Sequence, residues 1–219
     1  MNPCHIQNCN FNPDRPECQA CKALQLLWNK RQEAKHQEME RRAANRREYK
    51  RLKNDPDYTD VKFDEASGGV KATHKNHKTH PNDNITYFHD NLTGDQLEKM
   101  FMDKAFALGH SVVFKAESDG ITDLDMFLDG KLMDLVSVTV NSQHFRNQLN
   151  RKNGQLKEYN ALHNEANQSV CMYFHDPTYY TYEKVELGIE KLKELTEVQI
   201  KTVYILPNDG SDIVKLDFP

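Results

Sequence analysis

Residues 124–138 read LDMFLDGKLMDLVSV, and this stretch decides the fold of the domain around it. Apolar and acidic residues alternate at strand spacing on both sides of Asp129-Gly130, a dipeptide that favours a tight hairpin turn. Asp125 lies just before the first arm of the hairpin, and Asp134 lies on the second arm. Pairing of the arms therefore predicts that these two carboxylates lie near each other at one edge of a sheet.

The predicted acid pair has a chemistry of its own. Two neighbouring carboxylates repel each other, so both stay ionised only if a cation or a basic side chain lies between them. A divalent cation held by Asp125 and Asp134 can orient a water or hydroxyl nucleophile and neutralise charge that develops on a phosphate. The alternative is that both acids are solvated residues at the sheet edge. Asp129 is expected to serve only the turn.

The segments on either side of the hairpin predict an α/β domain over residues 95–219. Thr93 or Asp95 can cap a helix that ends at Gly109. Apolar residues at helical spacing predict the helices, and runs rich in Val, Ile, Tyr and Phe predict the strands. The expected elements lie, in chain order, at 96–108, 110–116, 126–128, 131–139, 142–166, 170–174, 182–195 and 202–206. The order α–β–β–β–α–β–α–β indicates a mixed sheet with flanking helices.

The N-terminal part of the chain divides into three segments of different composition. A cysteine-rich module occupies 1–21, a long basic helix is expected at 22–53, and 54–94 is rich in Asn, Asp, His and Pro. The third segment predicts an irregular connector, with short strands at 58–63 and 85–88.

The helix at 22–53 lacks proline and glycine and is strongly basic. Ten basic residues stand against four acidic ones between Lys30 and Lys53. Clustered Lys and Arg displace counterions from a phosphate backbone, which favours a nucleic-acid docking arm. After Trp28 the helix carries little apolar surface, so a protein partner or a role as a solvated linker are the alternatives.

Four of the five cysteines fall in the first 21 residues. Their spacing is C-x4-C-x8-C-x2-C, at Cys4, Cys9, Cys18 and Cys21. A structural zinc ion held by four thiolates would close a loop that has no core of its own, and His5 could replace one thiolate. Zinc is the favoured interpretation, and disulfides or free thiols are the alternatives.

Histidines recur at every third position, as His74, His77 and His80. Imidazoles at this density could bind a transition metal, and His74 or His77 could act as a general base in RNA cleavage. The alternative is an exposed polar loop, because lysines are interspersed among the histidines.

Bulk composition argues against a membrane protein. The net charge is −4, and 37% of the residues are hydrophobic while 28% are charged. No segment approaches the roughly 18–20 apolar residues of a membrane span. The N-terminus also lacks a basic stretch followed by an apolar one, which a secretion signal requires. We therefore expect no membrane partner.

The segment from Leu124 to Val138 resembles the core of the CdiA C-terminal toxin nucleases, a tRNase family of contact-dependent growth inhibition. The resemblance includes the preceding helix and the strand at 109–114, and it extends to the terminal strand at 200–206. It implies a core similar to that of the PD-(D/E)XK restriction endonucleases. The stretch 68–77 resembles proteins of Bacteroidetes phages and mobile elements, which implies a location in the cytoplasm of a bacterial host or in a virion.

By this resemblance, Glu117, Asp125 and Asp134 form the acidic cluster of a metal-dependent endoribonuclease. The implied cofactor is Mg²⁺ or Mn²⁺, and the implied substrate is RNA, above all tRNA. The alternative is a noncatalytic phage or mobile-element protein with a degenerate nuclease fold, in which the zinc module and the basic helix bind nucleic acid.

The sequence departs from the family pattern at two positions. Leu124 replaces the proline before the first aspartate, and Val136 stands where the endonuclease pattern has its catalytic lysine. The transition-state charge must then be met by another cation. By resemblance, Lys131 on the hairpin and Lys152 on the following helix are the candidates.

Overall fold

The computed structural model describes residues 16–77, 92–117, 122–138, 142–194 and 197–218 and, for 16–21, 142–145 and 179, the backbone alone. The described α-helices are α1 Pro16–Lys53, α2 Gly94–Ala107, α3 Ser142–His163 and α4 Tyr182–Lys193. The described strands are β1 Tyr58–Phe63, β2 Val70–His74, β3 Ser111–Phe114, β4 Met126–Leu128, β5 Lys131–Val138, β6 Ser169–Phe174, β7 Thr202–Leu206 and β8 Val214–Asp217. A 3₁₀-helix occupies Pro177–Tyr179.

The eight strands form one mixed sheet in which their spatial order is their order along the chain. β2 and β3 pair in parallel, as do β5 with β6 and β6 with β7, while the other neighbours are antiparallel. Each parallel pair is joined by a helix, because parallel strands need a crossover connection. These helices are α2, α3 and α4 in turn. The predicted α/β class with a mixed sheet is confirmed.

The core lies on both faces of the sheet, and β5 shows how the sequence divides it. Met133 and Leu135 belong to the apolar cluster that contains the buried residues of α2. Val136 and Val138 belong to the cluster that contains the buried residues of α3 and α4. Alternate strand residues point to opposite faces, so this single strand contributes to both layers.

The start of α2 is fixed by its N-terminal cap. Thr93 caps the helix by accepting a hydrogen bond from the Gln96 backbone N–H at 3.2 Å, and the Gln96 side chain accepts from the Thr93 N–H at 2.8 Å. This reciprocal arrangement satisfies two backbone donors that a helix start leaves without partners. Of the two caps that the sequence allowed, Thr93 is therefore the one used. Gly109 follows the helix with φ of 91°.

The segment expected to be an irregular connector contributes two strands to the sheet. β1 lies at the predicted position, and β2 pairs with both β1 and β3. Val70 and Ala72 of β2 are fully buried in a third apolar cluster with Leu52 and Val113. A sheet with one polar face needs apolar residues only at alternate positions, so a polar segment can still form strands. The strand predicted at 85–88 lies outside the described residues.

The chain forms two compact units, 1–44 and 45–219. In the first unit, the described residues belong to α1, and Leu24, Leu27 and Trp28 are more than half exposed. In the second unit, the amide of Asn45 donates to the carbonyls of Gly68 at 2.9 Å and Gly109 at 3.0 Å.

Within the described part of the chain, no helix is long and apolar enough to span a membrane.

Candidate active site

The hairpin places Asp125 beside Asp134. Met126 of β4 pairs with Met133 of β5, so the residues that flank this pair lie opposite each other. The two carboxyl groups lie close enough for each to shift the pKa of the other. The backbone N–H of Leu135 donates to Oδ2 of Asp125 at 2.6 Å, and Asp134 is fully buried. A local turn signal in the sequence was therefore sufficient to predict this contact.

Lys152 of α3 completes a buried charged cluster. Its Nζ donates to Oδ1 of Asp134 at 2.7 Å, and only 5% of the residue is exposed. The helix brings this ammonium group to the sheet face on which Val136 and Leu156 pack. We use the name acid–lysine cluster for Asp125, Asp134 and Lys152.

The two aspartates of the acid–lysine cluster have pKa values shifted in opposite directions. Burial raises the pKa of Asp134 well above its usual range, and the negative charge of Asp125 raises it further, although Lys152 acts in the opposite direction. Burial also raises the pKa of Asp125, but Lys152 and the hydrogen bonds from Asp134 and Leu135 outweigh it, so that the net pKa is lowered. Asp134 is thus the member that holds a proton shared by the pair.

The donor set fits a divalent cation in place of that proton. Oδ2 of Asp134 is buried and accepts no hydrogen bond from the described residues, and an unpartnered buried carboxylate oxygen is costly. Within the described ranges, no group of three or more His, Cys, Asp or Glu side chains could hold a metal ion. Asp125 and Asp134 would therefore be two protein ligands, and Mg²⁺ commonly binds through one or two carboxylates with water and phosphate as further ligands.

Glu117 lies in a second group, which is centred on His77. Oε1 of Glu117 is 3.1 Å from Nδ1 of His77, and Oε2 of Glu98 is 3.4 Å from Nε2. The imidazole also stacks on Phe114, with ring centroids 4.7 Å apart and an interplanar angle of 3°. Burial lowers the pKa of His77, but the two glutamates outweigh it and raise the pKa to about 10. His77 is therefore an imidazolium at neutral pH.

The two groups interact. The positive charge of His77 contributes to the lowered pKa of Asp125. Sequence spacing pointed to His77 as one of several histidines, but it did not reveal its contact with Glu117. His74, its neighbour in the run, instead accepts a hydrogen bond from the Asn76 N–H at 3.0 Å and packs edge-on against Tyr58. His80 lies outside the described residues.

The two candidate lysines occupy different places. Lys131 lies at the hairpin turn, and its Nζ donates to the hydroxyl of Tyr204 at 2.8 Å. Lys152 contacts the acid pair directly. Strand alternation contained the signal that separates them, because residues 131 and 134 of one strand point to opposite faces of the sheet.

The predicted zinc ligands lie outside the described side chains. Cys4 and Cys9 lie outside the described residues, while Cys18 and Cys21 fall in α1, where only the backbone is described. The structural zinc site stays a prediction, as does the role of α1 in binding nucleic acid or a protein. Cys171 is a buried free thiol of β6.

Comparison with known proteins gives one distant similarity. No protein-family model and no curated protein matches this chain. Among solved structures, a chain of the CdiA-CT/CdiI toxin and immunity complex from Burkholderia pseudomallei is similar to it, with a TM-score of 0.38 and 14% sequence identity. The similarity covers 55% of this chain and 82% of that one.

Proposed function

We propose that the α/β domain is a metal-dependent nuclease that acts on RNA and that the acid–lysine cluster is its active centre. One observation carries the proposal: Asp134 is fully buried, it contacts a second carboxyl group and an ammonium group, and one of its oxygens accepts no hydrogen bond from the described residues. Apolar residues would fill such a position at lower cost. Buried ionisable groups with shifted pKa values are therefore typical of functional sites.

Asp125 and Asp134 would hold the divalent ion, with Mg²⁺ or Mn²⁺ as the candidates. When bound, such an ion activates a water nucleophile and neutralises charge on a phosphate. Lys152 donates a hydrogen bond to Asp134 and would stabilise the negative charge that develops on phosphate oxygens. Glu117, held by His77, would be the third acid of the site.

Lys152 would replace the catalytic lysine that the endonuclease pattern has at the position of Val136. A restriction-endonuclease-like core has its lysine two residues after the second acid, and here that side chain is apolar and 2% exposed. Lys152 would supply the same charge to the same carboxylate from α3. The choice of tRNA as substrate and the relation to toxin nucleases rest on the resemblance of residues 124–138.

The two lysines allow a matched test. We expect wild-type protein to cleave tRNA in Mg²⁺ or Mn²⁺ and not in EDTA. Lys152→Met should lower the rate at least about 100-fold, since electrostatic stabilisation of developing charge typically contributes that much. Lys131→Met should stay within about threefold, because Lys131 does not contact the acids. Product gels at equal protein concentration measure both rates, and circular dichroism checks that each variant is folded.

Equal losses in the two variants, or cleavage that persists in EDTA, would contradict the proposal. RNA that is bound but never cut by the wild type would instead favour the noncatalytic alternative, a nucleic-acid-binding protein with a degenerate nuclease fold.

A further inference from the structure

A cleft of about 400 Å³ lies between α2 and the strands β1–β3. His77, Phe114 and Met102 contribute its least exposed lining residues. Lys62 of β1 and Lys99 of α2 line it from opposite walls. Its volume lies within the roughly 300–1,000 Å³ that small-molecule sites occupy, which is enough for one nucleotide.

His77 connects this cleft to the acid–lysine cluster. The same imidazole that lines the cleft contacts Glu117 at 3.1 Å, and the backbone N–H of Lys115, two residues before Glu117, donates to the carbonyl of Asp125 at 3.1 Å. A molecule in the cleft would therefore lie beside the acids that the proposed reaction uses. Asp134 itself is fully buried, so substrate has to approach the cluster from such an adjoining space.

The charges of the cleft fit a ligand that carries both an anion and hydrogen-bond donors. Lys71 is paired with Asp103, and His77 is paired with Glu98. Lys62 and Lys99 have no ion-pair partner among the described residues, and their amines remain available to a phosphate. Asp60 and Asp95 also line the cleft, and carboxylates accept hydrogen bonds from ribose hydroxyls and base amino groups.

We propose that this cleft binds one nucleotide of a single-stranded nucleic acid next to the acid–lysine cluster, with Lys62 and Lys99 contacting its phosphates. Nucleotides combine a phosphate with several hydrogen-bond donors, which match the amines of Lys62 and Lys99 and the carboxylates of Asp60 and Asp95 in the cleft. Cationic side chains that contact phosphates are a general basis of binding to single-stranded nucleic acids. The proposal identifies the substrate-binding part of the proposed nuclease and rests on that function.

Binding can be measured without cleavage. The probe is a fluorescently labelled eight-nucleotide single-stranded RNA, and its anisotropy is recorded with full-length protein in EDTA over a range of salt concentrations. Lys62→Gln/Lys99→Gln is compared with Lys191→Gln/Lys193→Gln, which removes two exposed lysines from α4. Both double variants lower the net charge equally, and both keep the basic residues of α1.

The cleft variant should bind the probe at least about tenfold more weakly at low salt. In a plot of the logarithm of its binding constant against the logarithm of the salt concentration, the slope should be less steep by about 1.4. Each lost phosphate contact on a single strand removes about 0.7 from the magnitude of this slope. The α4 variant should stay within about twofold of the wild type. In addition, NMR signals of the Phe114 and His77 rings should shift when the probe is added to wild-type protein.

Equal affinities of the two double variants, or a wild type that does not bind the probe, would overturn the inference and leave the cleft to another occupant such as a protein segment. Cleavage is tested separately in Mg²⁺, so the two proposals can fail independently. If the cleft variant loses RNA binding and the wild type does not cleave RNA, the nucleotide site is supported and the nuclease is rejected. If the wild type cleaves RNA and the cleft variant binds it as tightly as the wild type does, the nuclease is supported and the nucleotide site is rejected.

Discussion

Asp134 and His110 show how the same elementary charges can serve two purposes at the scale of the residue. The fully buried Asp134 lies beside the half-buried carboxyl group of Asp125 and the buried ammonium group of Lys152, and one oxygen of Asp134 accepts no hydrogen bond from the described residues. Around His110, both imidazole nitrogens contact carboxylates, Asp129 at 2.7 Å and Asp212 at 2.6 Å. In the first arrangement an oxygen of Asp134 is available to a ligand, whereas in the second both nitrogens of His110 already have partners.

His110 is predicted to stabilise the fold in a pH-dependent way. Burial lowers its pKa, but the two aspartates outweigh this effect and raise the pKa to about 9. A histidine near 6.5 in the unfolded chain then binds its proton more tightly when folded. The stabilisation is fully present below about pH 6.5 and is lost as the pH rises through 9. We expect it to be on the order of 1–3 kcal/mol, since exposed Asp212 is screened by solvent.

Urea unfolding of wild type and His110→Ala at pH 6.5 and pH 10 measures this difference. The free energy of unfolding should separate the two proteins more at pH 6.5 than at pH 10. A difference that does not change with pH would show that His110 contributes through packing alone.

Sequence patterns predicted the acids of the candidate site better than its cations. Asp125 and Asp134 are brought together by a turn of neighbouring residues, so a local signal was enough. Lys152 reaches Asp134 only because α3 crosses over the sheet between β5 and β6, and helix position on a sheet depends on packing across the whole domain. His77 contacts Glu117 through the parallel pairing of β2 with β3, which no local pattern encodes.

At the scale of the secondary-structure element, alanine substitutions at two glycines are expected to have opposite effects on stability. A Cβ atom on Gly69 would lie 2.0 Å from the carbonyl oxygen of Phe106 at the end of α2, whereas one on Gly154 in α3 would meet nothing within 4 Å. Gly69→Ala should therefore destabilise the protein by about 1–3 kcal/mol through backbone displacement. Gly154→Ala should stabilise it by about 0.5–1 kcal/mol, because alanine favours the helix.

Thermal unfolding of the two alanine variants measures both effects on one protein. A stabilised Gly69→Ala variant would contradict the close approach of the β1–β2 connection to α2. Loss of stability in Gly154→Ala would contradict the open position of that glycine on α3.

The described strands that sequence patterns missed are β2 and β8. β2 carries the half-buried polar residues Lys71, Thr73 and His74 beside two buried apolar ones, and its polar composition favoured a connector. β8 follows the turn-forming residues Asn208, Asp209 and Gly210, and none of its residues is fully buried. Edge and hairpin strands are stabilised by their neighbours, so their own residues carry a weak signal. The central strand β6 has a continuous apolar run and β5 follows the Asp-Gly turn signal, and both were predicted.

At the scale of the whole molecule, the candidate site lies where the two parts of the sheet meet. β4 and β5 pair antiparallel, while β5 and β6 pair in parallel. Asp134 belongs to the strand shared by both parts, and its register partner on β6 is Val170. The proposed nucleotide cleft lies between α2 and β1–β3, and α3 with Lys152 packs on β5. In the proposed nuclease, substrate would enter through the cleft, and Lys152 would supply its positive charge from α3.

Cleavage by an Asp134→Asn variant is the measurement that tests the central claim most directly. Asparagine keeps the size of the side chain but cannot release a proton to bind a cation as a carboxylate. Single-turnover cleavage of tRNA in Mn²⁺ is compared between this variant and the wild type, each shown by circular dichroism to be folded at the assay temperature. The account predicts metal-dependent products from the wild type and a rate at least about 100-fold lower from Asp134→Asn. Equal rates from the two folded proteins, or no cleavage by either, would contradict it.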